Sequence, residues 1–219
     1  MEIIPAILTS DPKELEEKIK LVAPLRSESF GGVKRIQIDI IDGVFAENKT
    51  IDLAAVGQIE SGLEIDVHLM VKEPVDWVEK SVRAMGDRII GQVEMMSNQA
   101  EFIGKVQETG HQVGLALDLD TPVSVLDETL FTLVDVILLM SVKAGFGGQK
   151  FSELAIEKIR ELAEIREKDK TNFKICVDGG IEEENIKQIA DTGADEVAVG
   201  SSLFNGSVEE NMRKLQNAL

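Results

Sequence analysis

Three short stretches of the chain set carboxylates or an imidazole at the end of an apolar run: Gln37-Ile38-Asp39-Ile40-Ile41-Asp42-Gly43, Asp66-Val67-His68-Leu69-Met70 and Val177-Asp178-Gly179-Gly180. A charged group ending an otherwise apolar strand costs desolvation energy unless it is paired, hydrogen-bonded or metal-bound. Carboxylate oxygens from Asp39 and Asp178 and a neutral imidazole nitrogen from His68 suit Zn²⁺, Mn²⁺ or Fe²⁺. The same carboxylates can move a proton. A hydrogen-bonded polar rim around the strand ends is the alternative. Gln37 also points to this centre, where it is the odd residue of the set.

A second constellation is rich in glycine. Ser141-Val142-Lys143-Ala144-Gly145-Phe146-Gly147-Gly148-Gln149 follows one strand-like run, Gly179-Gly180 another, and Gly200-Ser201-Ser202 a third. Glycine lets backbone N–H groups approach an anion closely, and helix N-termini add positive potential. Ordinary turns are the competing explanation for any one of these loops. Lys143 either adds a charge at this mouth or is a solvated loop lysine. Asp42, beside Gly43, reads as a turn-maker, and Glu94 as either a neighbour of the site or core-edge polarity. His111 lies where a helix passes into a strand, which puts it at the opposite end of the sheet.

These residues need elements to hold them. Apolar β-type runs occupy 3–8, 35–40, 65–70, 88–95, 112–118, 136–142, 173–178 and 196–200, and several are apolar at successive positions, as strands buried on both faces should be. Amphipathic stretches separate them. Asp11 is a candidate N-cap for a helix carrying Leu15, Ile19 and Val22, and Pro74 sits in the first turn of one carrying Val75, Val78 and Val82. Others start at Ser152, Glu182 and Ser207, with Gly193 placed to end the second of these. The connection at 43–58 is less regular, with a short helix. Eight repeated βα units imply a parallel sheet and point to a single-domain α/β (β/α)₈ TIM barrel spanning 1–219. The pattern alone also fits a doubly wound open sheet. In a barrel, the carboxyl ends of the strands are where chemistry occurs, and a phosphate site after strands seven and eight recurs there.

Composition excludes some classes. With 23 basic and 40 acidic residues the net charge is −17, which argues against nucleic acid or an anionic membrane surface as partner. The single cysteine, Cys176, rules out an internal disulfide and suits a reducing compartment. Neither a signal-type N-terminus nor a long apolar span is evident, so the expectation is a cytoplasmic protein.

Taken together, these motifs resemble the ribulose-phosphate 3-epimerase family. The likeness runs through Pro5-Ala6-Ile7-Leu8, Asp39 to Phe45 with Asn48, Asp66 to Met70 with Glu73-Pro74, Met140 to Gln149, Val177 to Ile181, Gly193-Ala194-Asp195 and Gly200-Ser201. The resemblance implies a barrel interconverting D-ribulose 5-phosphate and D-xylulose 5-phosphate. It implies Asp39 and Asp178 as the acid/base pair and a divalent metal (Zn, Mn or Fe) on Asp39, His68 and Asp178, with Gln37 at a fourth ligand position. It places the phosphorylated ketose against Gly145, Gly147, Gly148, Gly179, Gly180, Gly200, Ser201, Met70 and Met140. It also implies a homo-oligomer.

The departures from the family pattern are specific. Gln37 stands where the family has a histidine ligand, Ala6 for serine, Ile41 for methionine, Gln92 for histidine and Lys143-Ala144 for Asn-Pro. A glutamine oxygen is a harder, weaker ligand for zinc than imidazole. Two other functions therefore stay open: an epimerase for a different phosphorylated ketose, or a non-catalytic sugar-phosphate-binding protein whose metal binding is weakened or absent.

Overall fold

The computed structural model describes residues 1–27, 32–59 and 62–219. Eight parallel strands close on themselves in sequence order: β1 (Glu2–Ile7), β2 (Arg35–Ile41), β3 (Glu64–Met70), β4 (Arg88–Gln92), β5 (Gln112–Leu117), β6 (Val136–Met140), β7 (Lys174–Asp178) and β8 (Glu196–Val199). Closure is made by β1, which pairs with β2 through Ala6–Gln37 and with β8 through Ile3–Val197. The open-sheet alternative is thereby excluded, and each expected strand is present.

Helices pack outside the wall: α1 (Pro12–Val22), α2 (Leu53–Val56), α3 (Val78–Arg83), α4 (Gln99–Glu108), α5 (Leu154–Asp169), α6 (Glu183–Thr192), α7 (Ser201–Phe204) and α8 (Val208–Asn217). Asp11 caps α1 by accepting from the Lys13 N–H at 2.9 Å, and Gly193, at φ 120°, ends α6. One expectation needs correcting. Pro74 opens a 3₁₀ turn, Pro74–Trp77, preceded by Glu73 at a left-handed φ of 50°, and α3 follows it. Between β5 and β6 the helix-like segment is two 3₁₀ turns, Val123–Val125 and Glu128–Leu130. Where the chain leaves β5, Lys158 of α5 donates to the Asp118 and Leu119 carbonyls at 2.7 and 3.1 Å.

The period of a strand sorts its side chains to two faces. On β2, Ile36, Ile38 and Ile40 join the core beneath the helices, whereas Arg35, Gln37 and Asp39 face the barrel interior. The same alternation on β3 sends Asp66 and His68 inward. The interior is therefore layered. At the amino ends Arg35 and Arg88 pair with Asp66, Arg88 with Glu196 at 2.7 Å, and Lys174 with Glu196 at 2.6 Å. Burial opposes ionisation of Glu196, but Arg88 and Lys174 outweigh it and hold its carboxyl below the usual range. Above this network Ile4, Ile90, Val136, Leu138, Cys176 and Ala198 fill the barrel with apolar volume. The functional candidates lie on top.

At the end of β2, Asp42 makes the expected turn. Its Oδ1 accepts from the Val44 and Phe45 N–H groups at 2.7 and 2.9 Å, and its Oδ2 from Lys72 N–H at 2.8 Å. Burial works against the charge, yet these backbone donors keep its carboxyl below the ordinary value.

Two expected outcomes test this framework. Arg88→Ala leaves Asp66 and Glu196 short of a buried partner and should cost about 3–5 kcal/mol in urea unfolding; a loss below about 1 kcal/mol would contradict a tightly coupled network. Asp42→Ala should cost about 1–3 kcal/mol at pH 7. Because the folded-state pKa of Asp42 is depressed, its contribution is present above the unfolded value and lost as pH falls through the folded one. The gap between variant and parent should therefore narrow as denaturation series are run at successively lower pH below the unfolded value.

Candidate active site

Register brings the candidate ligands together. Asp39 pairs with His68 across β2 and β3, and Asp178 stands opposite Ala198 of β8, so the barrel's closure carries Asp178 round to the other two. Gln37 and His68 are fully buried, and Asp39 and Asp178 nearly so. One amide nitrogen, Gln37 Nε2, donates to Asp39 Oδ1 at 2.9 Å and to Asp178 Oδ2 at 2.6 Å. His68 Nδ1 lies 3.0 Å from Asp39 Oδ1 and 3.8 Å from Asp178 Oδ2.

The other imidazole nitrogen fixes the ring. The Gln92 amide satisfies all its neighbours when its oxygen accepts from His68 Nε2–H at 3.1 Å. Its nitrogen then donates to Glu94 Oε2 at 2.7 Å and to the Ala116 carbonyl at 3.2 Å. With the proton of neutral His68 on Nε2, the Nδ1 lone pair is directed at the carboxylates, the arrangement that outer hydrogen bonds impose on metal-ligating histidines. Glu94 thus acts through Gln92, and its other oxygen accepts from Asp118 N–H at 2.7 Å.

Asp178 feels both its burial and the neighbouring carboxylate. Burial first, and then the charge of Asp39, push the Asp178 carboxyl up to about 7, against the pull of His68 and Gln37. Burial works against the imidazolium of His68, but its bond to Asp39 and the surrounding carboxylates raise its pKa above the ordinary value. Asp39, His68 and Asp178 each offer one ligand atom, all within 4.8 Å of one another. Two carboxylate oxygens and one imidazole nitrogen fit a divalent ion. Among the described residues Gln37 Oε1 is buried with no hydrogen-bond partner, an idle donor atom beside that triad.

Above the triad opens a cavity of about 210 Å³. Its walls include Asp39, Asp178, Ala6, Met70 and Met140, and around one side Gly145, Gly147, Gly148, Gly179, Gly180, Gly200 and Ser201. Gln37 and His68 lie below it and do not line it. The glycines are dictated by space at one position above all: at Gly180, with φ +59°, a Cβ would stand 2.3 Å from the Phe151 nitrogen. Asn48 Nδ2 and Gln149 Nε2 tie the loop down by donating to the Gly145 and Phe146 carbonyls, both at 2.7 Å.

Some residues fall elsewhere. Lys143 lines a neighbouring hollow with Glu47, Glu94 and Asp118. His111, at the start of β5, contacts Thr109 Oγ1 at 2.8 Å, remote from the site. One residue went unnoticed in the sequence: Lys18 of α1 lines the cavity as its one cationic side chain among the described residues. It pairs with Glu14 at 2.7 Å and lies over the Phe204 ring at 5.2 Å. Nothing near it in sequence marks it, because a lysine on an amphipathic helix reads as solvated.

Acid–base groups under a glycine-walled cavity, at the carboxyl ends of barrel strands, are the layout of a barrel enzyme with an anionic substrate. Sequence comparison narrows that class: residues 2–204 match the Ribulose-phosphate 3 epimerase family, and the chain belongs to it. The "Ribulose-phosphate 3-epimerase" of Aquifex aeolicus is 34% identical over 220 residues, covering 99% of this chain and 96% of that protein. Proteins of the same name from Bacillus subtilis and Escherichia coli are 34% and 35% identical, over 94% and 92% of this chain and 94% and 88% of their own. Among solved structures, 3-hexulose-6-phosphate synthase superposes with a TM-score of 0.67 at 14% identity over 100% of both chains, a likeness of fold alone. Among the described residues no helix is long and apolar enough to cross a membrane.

Gln92→Leu should leave the buried His68 Nε2–H without an acceptor and cost about 1–3 kcal/mol in chemical denaturation. A cost near zero would mean that Gln92 does not hold the ring.

Proposed function

We propose that this protein is a metal-dependent ketose-phosphate 3-epimerase interconverting D-ribulose 5-phosphate and D-xylulose 5-phosphate. One observation carries the reading: both carboxylates of the triad open into the same cavity as the glycine-rich loops. A substrate whose phosphate lies against Gly147, Gly148, Gly179, Gly180, Gly200 and Ser201 presents its carbon chain to Asp39 and Asp178. The C3 proton, α to a carbonyl, is weakly acidic, and inversion needs a proton-transfer group on each face. Asp39 and Asp178 supply those groups: one removes the C3 proton and the other returns a proton to the opposite face. Met70 and Met140 give the reacting carbons an apolar surround that limits water. Lys18, at the cavity wall, adds positive charge for the phosphate. A divalent ion (Zn²⁺, Mn²⁺ or Fe²⁺) held by Asp39, His68 and Asp178, with Gln37 at the fourth position, would stabilise negative charge developing on the substrate oxygens.

The buried free Cys176 supports a reducing, cytoplasmic setting. Exposed apolar side chains at Val44, Met95 and Phe146 support a homo-oligomer. A second reading, a sugar-phosphate-binding protein without turnover, draws on the amide nitrogen of Gln37 facing both carboxylates.

The test is exchange of the ribulose 5-phosphate C3 proton with deuterated solvent, followed by NMR with Mn²⁺, Fe²⁺ or Zn²⁺ present. The parent protein should exchange the proton and interconvert the two ketose phosphates, and Asp39→Asn and Asp178→Asn should each slow interconversion by about 10²–10⁴-fold. No exchange with any of the three metals would refute the assignment, and exchange only with other ketose phosphates would move it to a different substrate.

A further inference from the structure

The orientation of the Gln37 amide carries information that neither the fold nor the family supplies. Its nitrogen stands 2.9 Å from Asp39 Oδ1, 2.6 Å from Asp178 Oδ2 and 3.5 Å from His68 Nδ1, the three atoms that make up the triad. A cation bonded to those atoms needs the space this nitrogen fills. The two hydrogens of the amide also do part of a cation's work, since each bridges to a buried carboxylate and offsets the repulsion between the two. At the other end of the same group, Oε1 is buried and accepts no hydrogen bond among the described residues. Leaving a buried acceptor unpaired is costly, and a native structure that tolerates one calls for an explanation. Because Oε1 has no donor to lose, no hydrogen bond at that end resists rotation of the amide.

We propose that Gln37 is a two-position ligand: its amide nitrogen bridges Asp39 and Asp178 until a divalent cation arrives, and the amide then turns to present Oε1 to that cation. The inference rests on the reading that Asp39, His68 and Asp178 take a metal. An imidazole in this position has no such pair of ends: protonated, it could bond the carboxylates, but it must lose that proton to bind a metal. The glutamine makes the exchange of protein donor for metal a rotation of a neutral group. The triad is thereby kept in its ligand geometry whether or not it is loaded, and a metal pays for entry by displacing two charge-assisted hydrogen bonds. Loading is thus weaker than the same triad would give with a group that does not bridge it.

The experiment uses the full chain, with glutamine side-chain amides labelled with ¹⁵N and the carbonyls with ¹³C. In chelator-treated protein the Gln37 NH₂ pair, assigned by its loss in Gln37→Leu, should resonate as a hydrogen-bonded, exchange-protected amide. Titration with Zn²⁺ should move these protons and the Gln37 carbonyl carbon together, saturating at one zinc per chain measured by equilibrium dialysis. The melting temperature of chelator-treated Gln37→Leu should fall by on the order of 10 °C, the effect of removing two charge-assisted hydrogen bonds from a domain of this size. Zinc uptake at the triad with the Gln37 resonances unmoved overturns the two-position role. So does an unchanged melting temperature in Gln37→Leu, and so does absence of zinc binding. These outcomes are separable from the epimerase assignment: zinc uptake with amide movement but no C3 exchange overturns the activity and leaves the rotation standing.

Discussion

The structure turns on two carboxylates, Asp39 and Asp178, held within reach of one amide nitrogen inside a closed barrel. Neither can be solvated in the usual way, and burial together with the charge of Asp39 raises the cost of ionising Asp178. The surrounding groups are intelligible as responses to that problem. Gln37 donates to both, His68 stands at hydrogen-bonding distance from Asp39, and Gln92 with Glu94 fixes which face of the imidazole is presented. A site that concentrates negative charge in this way suits a cation, and its two carboxylates line the cavity above it.

The same logic operates at the opposite end of the barrel. Arg35, Arg88 and Lys174 neutralise Asp66 and Glu196, so the interior holds two polar layers separated by an apolar one. The lower layer uses arginines, which stay charged under any condition the fold survives, and this suits a structural role. The upper layer uses groups whose protonation or orientation can change. That division of labour separates what holds the barrel shut from what acts on a ligand.

Much of this was legible in the chain. The alternation in Arg35-Ile36-Gln37-Ile38-Asp39-Ile40 specifies a strand with one polar face, and repeated strand–helix units specify a parallel sheet. Between β5 and β6, Leu126 and Leu130 are spaced as on a helix, yet tertiary packing buries them on 3₁₀ turns. Lys18 escaped notice because its relevance depends on α1 lying beside Gly200 and Ser201, a neighbourhood created by closure of β8 onto β1.

Residue types and their order already mark which groups could do chemistry, that Asp39, His68 and Asp178 lie at strand ends, and that glycine-rich loops accompany them. Residue type and strand period are local properties, readable without coordinates. Folding alone settles that the sheet closes and that the nitrogen of Gln37, not its oxygen, meets the carboxylates. Those outcomes depend on register across strands far apart in the chain and on which end of a nearly symmetric amide finds a partner. The meaning of Gln37 is therefore one that only the folded arrangement could supply.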